Sequence, residues 1–143
     1  MKTFEIKRNN NFLSKENIRF INETVLNNNF PFYFSNTFTG GNNSNYTFLV
    51  HVVQKRLETV SLNEAINSPD FYLPTLDILD NFLKSVNEKY KFFLRIAYNL
   101  TFNTGDGRSQ IHKDHNYSHK QIIIYLNDTD PESKTCMVDE NNK

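Results

Sequence analysis

Three histidines and an aspartate lie within eight residues of the stretch QIHKDHNYSHKQIIIYLND, residues 110–128. Alternate residues of a β-strand point to the same face, so a strand here would place the side chains of His112 and Asp114 next to each other. An imidazole and a carboxylate are two of the three ligands in the 2-His-1-carboxylate triad that binds ferrous iron. The spacing therefore predicts part of a metal site, and the alternative is a polar, solvated strand end.

The other polar residues near this pair are not expected to bind the metal or to take part in a reaction. His115 and His119 follow in the predicted turn and are interpreted as surface residues. The alternatives are a position at the mouth of the site and a role as the third metal ligand, against which their closeness to His112 argues. Arg108 and Lys113 are interpreted in the same way, with contact to an anionic substrate as the alternative. His51 lies inside the apolar run YTFLVHVVQ, where a core histidine is a more common outcome than a metal ligand.

The elements that must position these residues follow from hydrophobic periodicity. Ser14 is a good N-cap for a helix that places Ile18, Ile21, Val25 and Leu26 at helical spacing. Apolar and β-branched runs predict strands at residues 30–38, 46–54, 91–102, 110–114, 120–127 and 134–139.

A second helix is predicted over LPTLDILDNFLKSVNEKY, residues 73–90. Pro74 suits a first helical turn, because the missing N–H has no partner to lose there. The expected apolar stripe consists of Leu76, Leu79, Phe82, Leu83 and Val86.

Helices in the first two-thirds of the chain, followed by consecutive short strands, predict an α+β fold. The N-terminal helices would then cover one side of a largely antiparallel sheet. A length of 143 residues suits a single domain, residues 1–143. The same order of elements argues against a doubly wound βαβ fold. The sequence also contains no Gly-rich phosphate loop.

Charge and cysteine content narrow the classes of partner. The chain has 16 basic and 16 acidic residues, a formal net charge of +0 at pH 7, so no overall positive field favours nucleic acid or an anionic membrane. No apolar run approaches the ~20 residues that a membrane-spanning helix needs. The lone cysteine, Cys136, cannot form an internal disulfide, and the first residues lack the apolar core of a signal peptide. These features predict a cytoplasmic protein without a membrane or nucleic-acid partner.

Three segments in the last third of the chain carry a family resemblance. They are RIAYNL at residues 95–100, IHKD at residues 111–114 and IIIYLND at residues 122–128. In this order and at this spacing, the sequence resembles the iron(II)/2-oxoglutarate-dependent dioxygenases, in the prolyl 4-hydroxylase-like branch that includes small phage members. The combination is more specific than a single His-x-Asp pair.

The resemblance implies a double-stranded β-helix, or jelly-roll, and a set of site residues. His112 and Asp114 would ligate Fe(II). Tyr125 would hydrogen-bond the distal carboxylate of 2-oxoglutarate, with Tyr98 as a second contact to this co-substrate. O2 is the other co-substrate, and ascorbate is an optional cofactor. The implied activity is that of an oxidoreductase, in which decarboxylation of 2-oxoglutarate to succinate accompanies hydroxylation of an unknown protein or small molecule, in the host cytoplasm if the chain is viral.

The family pattern continues beyond the last segment that this chain matches. A distal histidine, which is the third iron ligand, and an Arg or Lys for 2-oxoglutarate would follow the Tyr-Leu-Asn strand, but no histidine follows His119. We therefore expect the C-terminal strands to be missing, with residues 1–143 forming the N-terminal part of the domain. Three explanations are open: a fragment of a longer enzyme, a chain completed by a partner, or a decayed relative that binds iron poorly. An open sheet edge would favour a complementing chain or a homo-oligomer.

The alternative to an oxygenase is a non-catalytic β-rich binding or structural module, such as a degenerate viral relative. The same histidines would then be surface residues. The two hypotheses differ in whether Fe(II), Co(II) or 2-oxoglutarate raises thermal stability, because only a ligand that binds the native state does so.

Overall fold

The structure is a computed structural model that describes residues 5–35, 48–101, 115, 117–127 and 135–136. The chain divides into two compact units. The larger unit consists of Glu5–Asn36 and Thr47–Phe102, and the smaller consists of Met1–Phe4, Thr37–Tyr46 and Asn103–Lys143. Every helix and strand of the described residues belongs to the larger unit. The single-domain organisation stays a prediction.

The first helix, α1, spans Lys15–Phe20 and begins at the predicted N-cap. Ser14 Oγ accepts a hydrogen bond from the backbone N–H of Asn17 at 3.0 Å, and Asn17 Oδ1 accepts one from the N–H of Ser14 at 3.1 Å. This reciprocal capping box satisfies two backbone donors at the helix start. The helix predicted from Ser14 is confirmed.

A π-helical turn, Ile21–Val25, continues this helix. The N–H of Leu26 donates to the carbonyl of Ile21 at 2.8 Å, which is the five-residue spacing of a π-turn. Ile21 and Val25 are 4% and 2% exposed, whereas Ile18 and Leu26 are 47% and 46% exposed. The prediction of the apolar face is therefore confirmed for Ile21 and Val25 and wrong for Ile18 and Leu26.

Three strands of the described residues form one antiparallel sheet in which β2 is central. They are β1 Tyr33–Ser35, β2 Phe48–Gln54 and β3 Ile96–Thr101. In the register of β2 with β3, His51 lies opposite Tyr98. The strands predicted at residues 30–38 and 46–54 are confirmed in part, whereas β3 begins five residues after the start predicted for it.

Two helices lie between β2 and β3 in the chain: α2 Leu62–Ala65, a single turn that was not predicted, and α3 Pro69–Ser85. The prediction for the start of α3 was wrong, because Pro69 occupies the first turn and Pro74 lies inside the helix. The segment Ser-Pro-Asp at residues 68–70 explains this start, since it combines proline at the first helical position with an acidic residue in the first turn.

Helix α3 packs against both β2 and α1. Its buried residues are Thr75, Ile78 and Leu83. Of the predicted apolar stripe only Leu83 is fully buried, and the other four members are half-buried. Apolar residue types alone do not identify Thr75, a polar residue that is 5% exposed on the buried face of α3.

A buried asparagine joins α1 to α3. Asn17 is 3% exposed, and its Nδ2 donates to Asp77 Oδ2 at 2.7 Å. Asn81 Nδ2 in turn donates to Asn17 Oδ1 at 2.8 Å. One side chain therefore caps α1 and also holds it on α3.

The smaller unit is described at residues 115, 117–127 and 135–136. The strand predicted at residues 120–127 is not formed among the described residues. Burial nevertheless alternates along the segment: Ile122, Ile124 and Leu126 are half-buried, whereas Ile123 and Tyr125 are exposed. An alternating pattern predicts extended backbone, but a strand also needs hydrogen bonds to a neighbouring strand.

The described residues confirm an α+β class, in which helices cover a small antiparallel sheet. A jelly-roll arrangement stays a prediction. None of the helices in the described ranges is long and apolar enough to cross a membrane.

Candidate functional site

The two predicted iron ligands, His112 and Asp114, lie outside the described residues. Within the described part of the chain, no three His, Cys, Asp or Glu side chains come together in a group that could hold a metal ion. The iron site therefore stays a prediction from the sequence.

Tyr125, the predicted contact to 2-oxoglutarate, is at the surface of the smaller unit. Its ring is 59% exposed, and its hydroxyl makes a short contact with the hydroxyl of Thr135. Either oxygen can donate in this pair. The phenol is therefore accessible, and a competing ligand would have to displace one hydroxyl partner.

His115, Tyr117 and His119 form an aromatic cluster in the same unit. The ring centroids of His115 and His119 are 4.7 Å apart with an interplanar angle of 73°. The ring of Tyr117 lies 4.8 Å from that of His115 and 6.0 Å from that of His119. His115 is half-buried and His119 is exposed, so the prediction of surface histidines is confirmed for His119.

Tyr98, the other predicted 2-oxoglutarate contact, is in β3 of the larger unit. Its hydroxyl lies 2.7 Å from Thr75 Oγ1. Thr75 Oγ1 also donates to the carbonyl of Phe71 at 2.6 Å, so the Tyr98 hydroxyl is the donor to Thr75. The Tyr98 hydroxyl is therefore hydrogen-bonded to a residue of α3. Burial raises the pKa of the Tyr98 phenol.

His51 is 3% exposed, and both of its ring nitrogens have partners. Nδ1 lies 2.8 Å from the carbonyl oxygen of Pro31, and Nε2 lies 2.8 Å from Ser68 Oγ. A carbonyl can only accept, so Nδ1 carries the proton, and in the neutral ring Nε2 accepts from the Ser68 hydroxyl. The other acceptor near this hydroxyl, the carbonyl of Val52, is farther away at 3.4 Å. The prediction of a core histidine is confirmed.

This serine, histidine and carbonyl are arranged as in a nucleophile with its general base. Ser68 is 9% exposed, however, and the imidazole is packed against the rings of Phe30 and Phe71 at centroid distances of 4.8 and 5.1 Å. A substrate has no open approach to an oxygen enclosed in this way. The pair therefore serves the packing of α3 against the sheet.

The two polar contacts to α3 come from one cross-strand pair. His51 of β2 and Tyr98 of β3 are opposite each other and reach Ser68 and Thr75, respectively. Ser68 is the N-cap of α3 and Thr75 lies inside the helix, seven positions further along the sequence, which is about two helical turns. The ring of Phe30 contacts both His51 and Tyr98, at 4.8 and 5.4 Å, and fills the space between the two contacts.

Two open cavities are present in the larger unit. One, of about 260 Å³, is lined by Glu23, Thr24, Asn27, Asn29, Phe30, Pro31 and Phe71. The other, of about 300 Å³, is lined by Asp80, Leu83, Lys84, Glu88, Lys89 and Tyr90. Neither of these two cavities is lined by a predicted site residue.

Comparison with known proteins gives no match: no family model, curated protein or solved structure matches this chain.

Sequence reasoning did not single out Ser68 or Thr75 as partners of the sheet. Ser68 is 17 positions from His51, and Thr75 is 23 positions from Tyr98. The available signal was the segment Ser-Pro-Asp at residues 68–70, which marks a helix start. It predicts where α3 begins, but it gives no information on what the serine hydroxyl contacts.

Proposed function

We propose that the chain is all or part of an Fe(II)- and 2-oxoglutarate-dependent dioxygenase domain of the prolyl 4-hydroxylase-like type. The observation that carries the proposal is His112-x-Asp114, placed between RIAYNL at residues 95–100 and IIIYLND at residues 122–128. In this proposal His112 and Asp114 bind the iron, and Tyr125 and Tyr98 contact 2-oxoglutarate.

The donor set suits ferrous iron. One imidazole and one carboxylate are the ligand types of the facial triad, and positions left open on the metal admit a co-substrate and oxygen. Bound Fe(II) would supply the oxidative decarboxylation of 2-oxoglutarate and the hydroxylation of a substrate. The chain's own residues would hold the ion and orient the co-substrate carboxylate.

The described fold supports this proposal at the level of the sheet. The segment RIAYNL contributes most of β3, which pairs with the central strand of an antiparallel sheet covered by α3. Jelly-rolls consist of antiparallel strands, so this arrangement is compatible with the proposed double-stranded β-helix.

The two proposed co-substrate tyrosines differ in how readily they could change partner. The Tyr98 hydroxyl is bound to Thr75 inside the larger unit, and freeing it would leave a buried hydroxyl without that partner. The Tyr125 ring is 59% exposed. We therefore expect Tyr125→Phe to weaken 2-oxoglutarate binding and Tyr98→Phe to affect mainly stability.

The test is metal-dependent binding of 2-oxoglutarate to the full chain. Calorimetry with Co(II) as an oxygen-stable substitute for Fe(II), followed by 2-oxoglutarate, would compare the wild type with His112→Ala and Asp114→Ala. We expect both substitutions to abolish the metal-dependent binding of 2-oxoglutarate. Lys113→Ala is the matched control, because it lies between the two ligands in sequence but would point to the other face of a strand.

A thermal unfolding experiment gives a second readout. A ligand present at 100 times its Kd stabilises the native state by about 2.7 kcal/mol, so Co(II) and 2-oxoglutarate together should raise Tm in the wild type and in Lys113→Ala only. If 2-oxoglutarate binds none of the four proteins, or binds equally to all of them, the proposal is wrong and the non-catalytic β-rich module becomes the better account. Release of succinate would then be measured with Fe(II) for any protein that binds.

A further inference from the structure

Two imidazoles lie close together in the smaller unit, at His115 and His119. Their ring centroids are 4.7 Å apart and their planes are inclined by 73°. His119 is at the surface, where an ion in solution can reach it. These two side chains have no role in the proposed iron and 2-oxoglutarate contacts.

The separation of the two rings is compatible with a shared metal ion. A metal–nitrogen bond of about 2.0–2.1 Å places each ring centroid about 3.2 Å from the ion. Two such rings are then about 4.5 Å apart for a right angle at the metal and about 5.2 Å apart for a tetrahedral angle. The observed 4.7 Å falls between these values.

A backbone hydrogen bond prepares one of the two rings as a ligand. His119 Nδ1 lies 2.9 Å from the carbonyl oxygen of Tyr117. Since the carbonyl can only accept, Nδ1 carries the proton and the neutral ring keeps its lone pair on Nε2. Metal-binding histidines almost always donate their second N–H to a carbonyl or carboxylate in this way.

We propose that His115 and His119 together bind a late first-row divalent transition-metal ion, with His119 coordinating through Nε2. Imidazole is a favoured ligand of nickel, copper and zinc, and the remaining positions on the ion would hold water. This inference does not rest on the proposed dioxygenase function, because it uses neither His112 nor Asp114.

Copper(II) is the probe of choice, because it binds most tightly among these ions at a given site. Titration of the full chain would give the Kd, and electron paramagnetic resonance would count the coordinating nitrogens. In the wild type we expect a signal from at least two nitrogens. His115→Gln and His119→Gln should each remove one nitrogen and weaken binding by more than about tenfold, the lower limit for loss of a supporting partner.

Two further variants make the result specific. Tyr117→Phe keeps the backbone carbonyl that orients His119, so its Kd should stay within about twofold of the wild-type value.

His112→Ala/Asp114→Ala removes the proposed iron ligands and separates the two proposals. Loss of binding in the His115 and His119 variants supports the imidazole pair, whether or not the His112/Asp114 variant also loses it. Unchanged Kd and nitrogen count in both glutamine variants would overturn the pair, even if the His112/Asp114 variant lost its copper.

Discussion

The hydrogen bonds of His51 show how a charged or reactive residue type becomes part of a core. The imidazole donates to the carbonyl of Pro31 and accepts from Ser68, so no polar atom of the ring is buried without a partner. Among the described residues, every buried side-chain nitrogen and oxygen has a hydrogen-bond partner. Removing one member of such a pair is costly because the other stays buried.

This cost predicts the effect of Ser68→Ala and His51→Ala. Ser68→Ala should lower the free energy of unfolding by about 1–2 kcal/mol, since Nε2 of His51 loses its donor. His51→Ala should cost about 3 kcal/mol or more, because it also leaves a cavity among Phe30 and Phe71. Urea unfolding would measure both. Ser118→Ala, at an exposed serine, is the control and should change the value by less than about 0.5 kcal/mol. An effect of Ser68→Ala no larger than this control would contradict the pairing.

The Tyr98 hydroxyl predicts a dependence of stability on alkaline pH. Burial raises the pKa of this phenol in the native state, whereas the unfolded chain titrates near pH 10. The native state therefore binds more protons above about pH 10, and the free energy of unfolding falls as pH rises through the native pKa. Tyr98→Phe should lower stability by about 1 kcal/mol at pH 8 through loss of the Thr75 bond, but it should show a smaller further decline at high pH.

Tyr90 is the comparison for this experiment. Its pKa is raised mainly by its hydrogen bond to Asp80, and its ring is 45% exposed. Added salt screens an exposed charge but has little effect on burial. We therefore expect salt to reduce the contribution of Tyr90, as judged with Tyr90→Phe, and to leave that of Tyr98 unchanged. An identical alkaline decline in the wild type and Tyr98→Phe would show that the phenol is hydrated in the native state.

At the scale of elements, helix α3 contains two prolines in different surroundings. Pro69 is at the helix start, where its fixed φ angle favours the helix. Pro74 is inside the helix, where it removes a backbone hydrogen bond and its ring meets the carbonyl four residues earlier. The same residue type should therefore have opposite effects at these two positions.

Substitution by alanine tests this difference. Pro74→Ala should raise the free energy of unfolding by about 1–3 kcal/mol, because a proline in a helix interior is about 3 kcal/mol less favourable than alanine. Pro69→Ala should give no gain, since it loses a favourable first-turn residue and makes the unfolded chain more flexible. Both variants can be compared by urea unfolding at one pH. A loss of stability in Pro74→Ala would mean that contacts of the half-buried ring outweigh the backbone penalty.

The elements that could be predicted from the sequence are those stabilised by interactions between residues close together in the chain. The cap at Ser14 and the apolar spacing of Ile21 and Val25 specify the first helix within about a dozen residues. The run IIIYLN has the alternation of a strand and the matching alternation of burial, but pairing depends on a partner that this run does not specify. The same limit applies to the site. The burial of His51 could be predicted from the apolar run around it. Its partner Ser68 could not, because the packing of α3 brings it to His51.

For the whole molecule, balanced charge and exposed apolar side chains act together. The formal net charge is +0 at pH 7, so no net repulsion opposes association of two copies at that pH. Tyr33 and Phe34 of β1 are 61% and 66% exposed, and β1 is at one side of the three-stranded sheet. Exposed apolar residues on a terminal strand of a sheet favour pairing with another chain.

We therefore expect the protein to self-associate at pH 7 in a concentration-dependent way. A charged residue introduced on β1 should reduce this association. Phe34→Lys should lower the weight-average mass measured by sedimentation at a given concentration, because lysine on an edge strand opposes pairing. Leu73→Lys is the matched control, since Leu73 is 71% exposed on α3 and its substitution adds the same charge. If β1 is the contact, Phe34→Lys should have the larger effect, and the effect should persist in salt. Equal effects that salt abolishes would instead mean that the added net charge alone reduces the association, since salt screens repulsion between exposed charges.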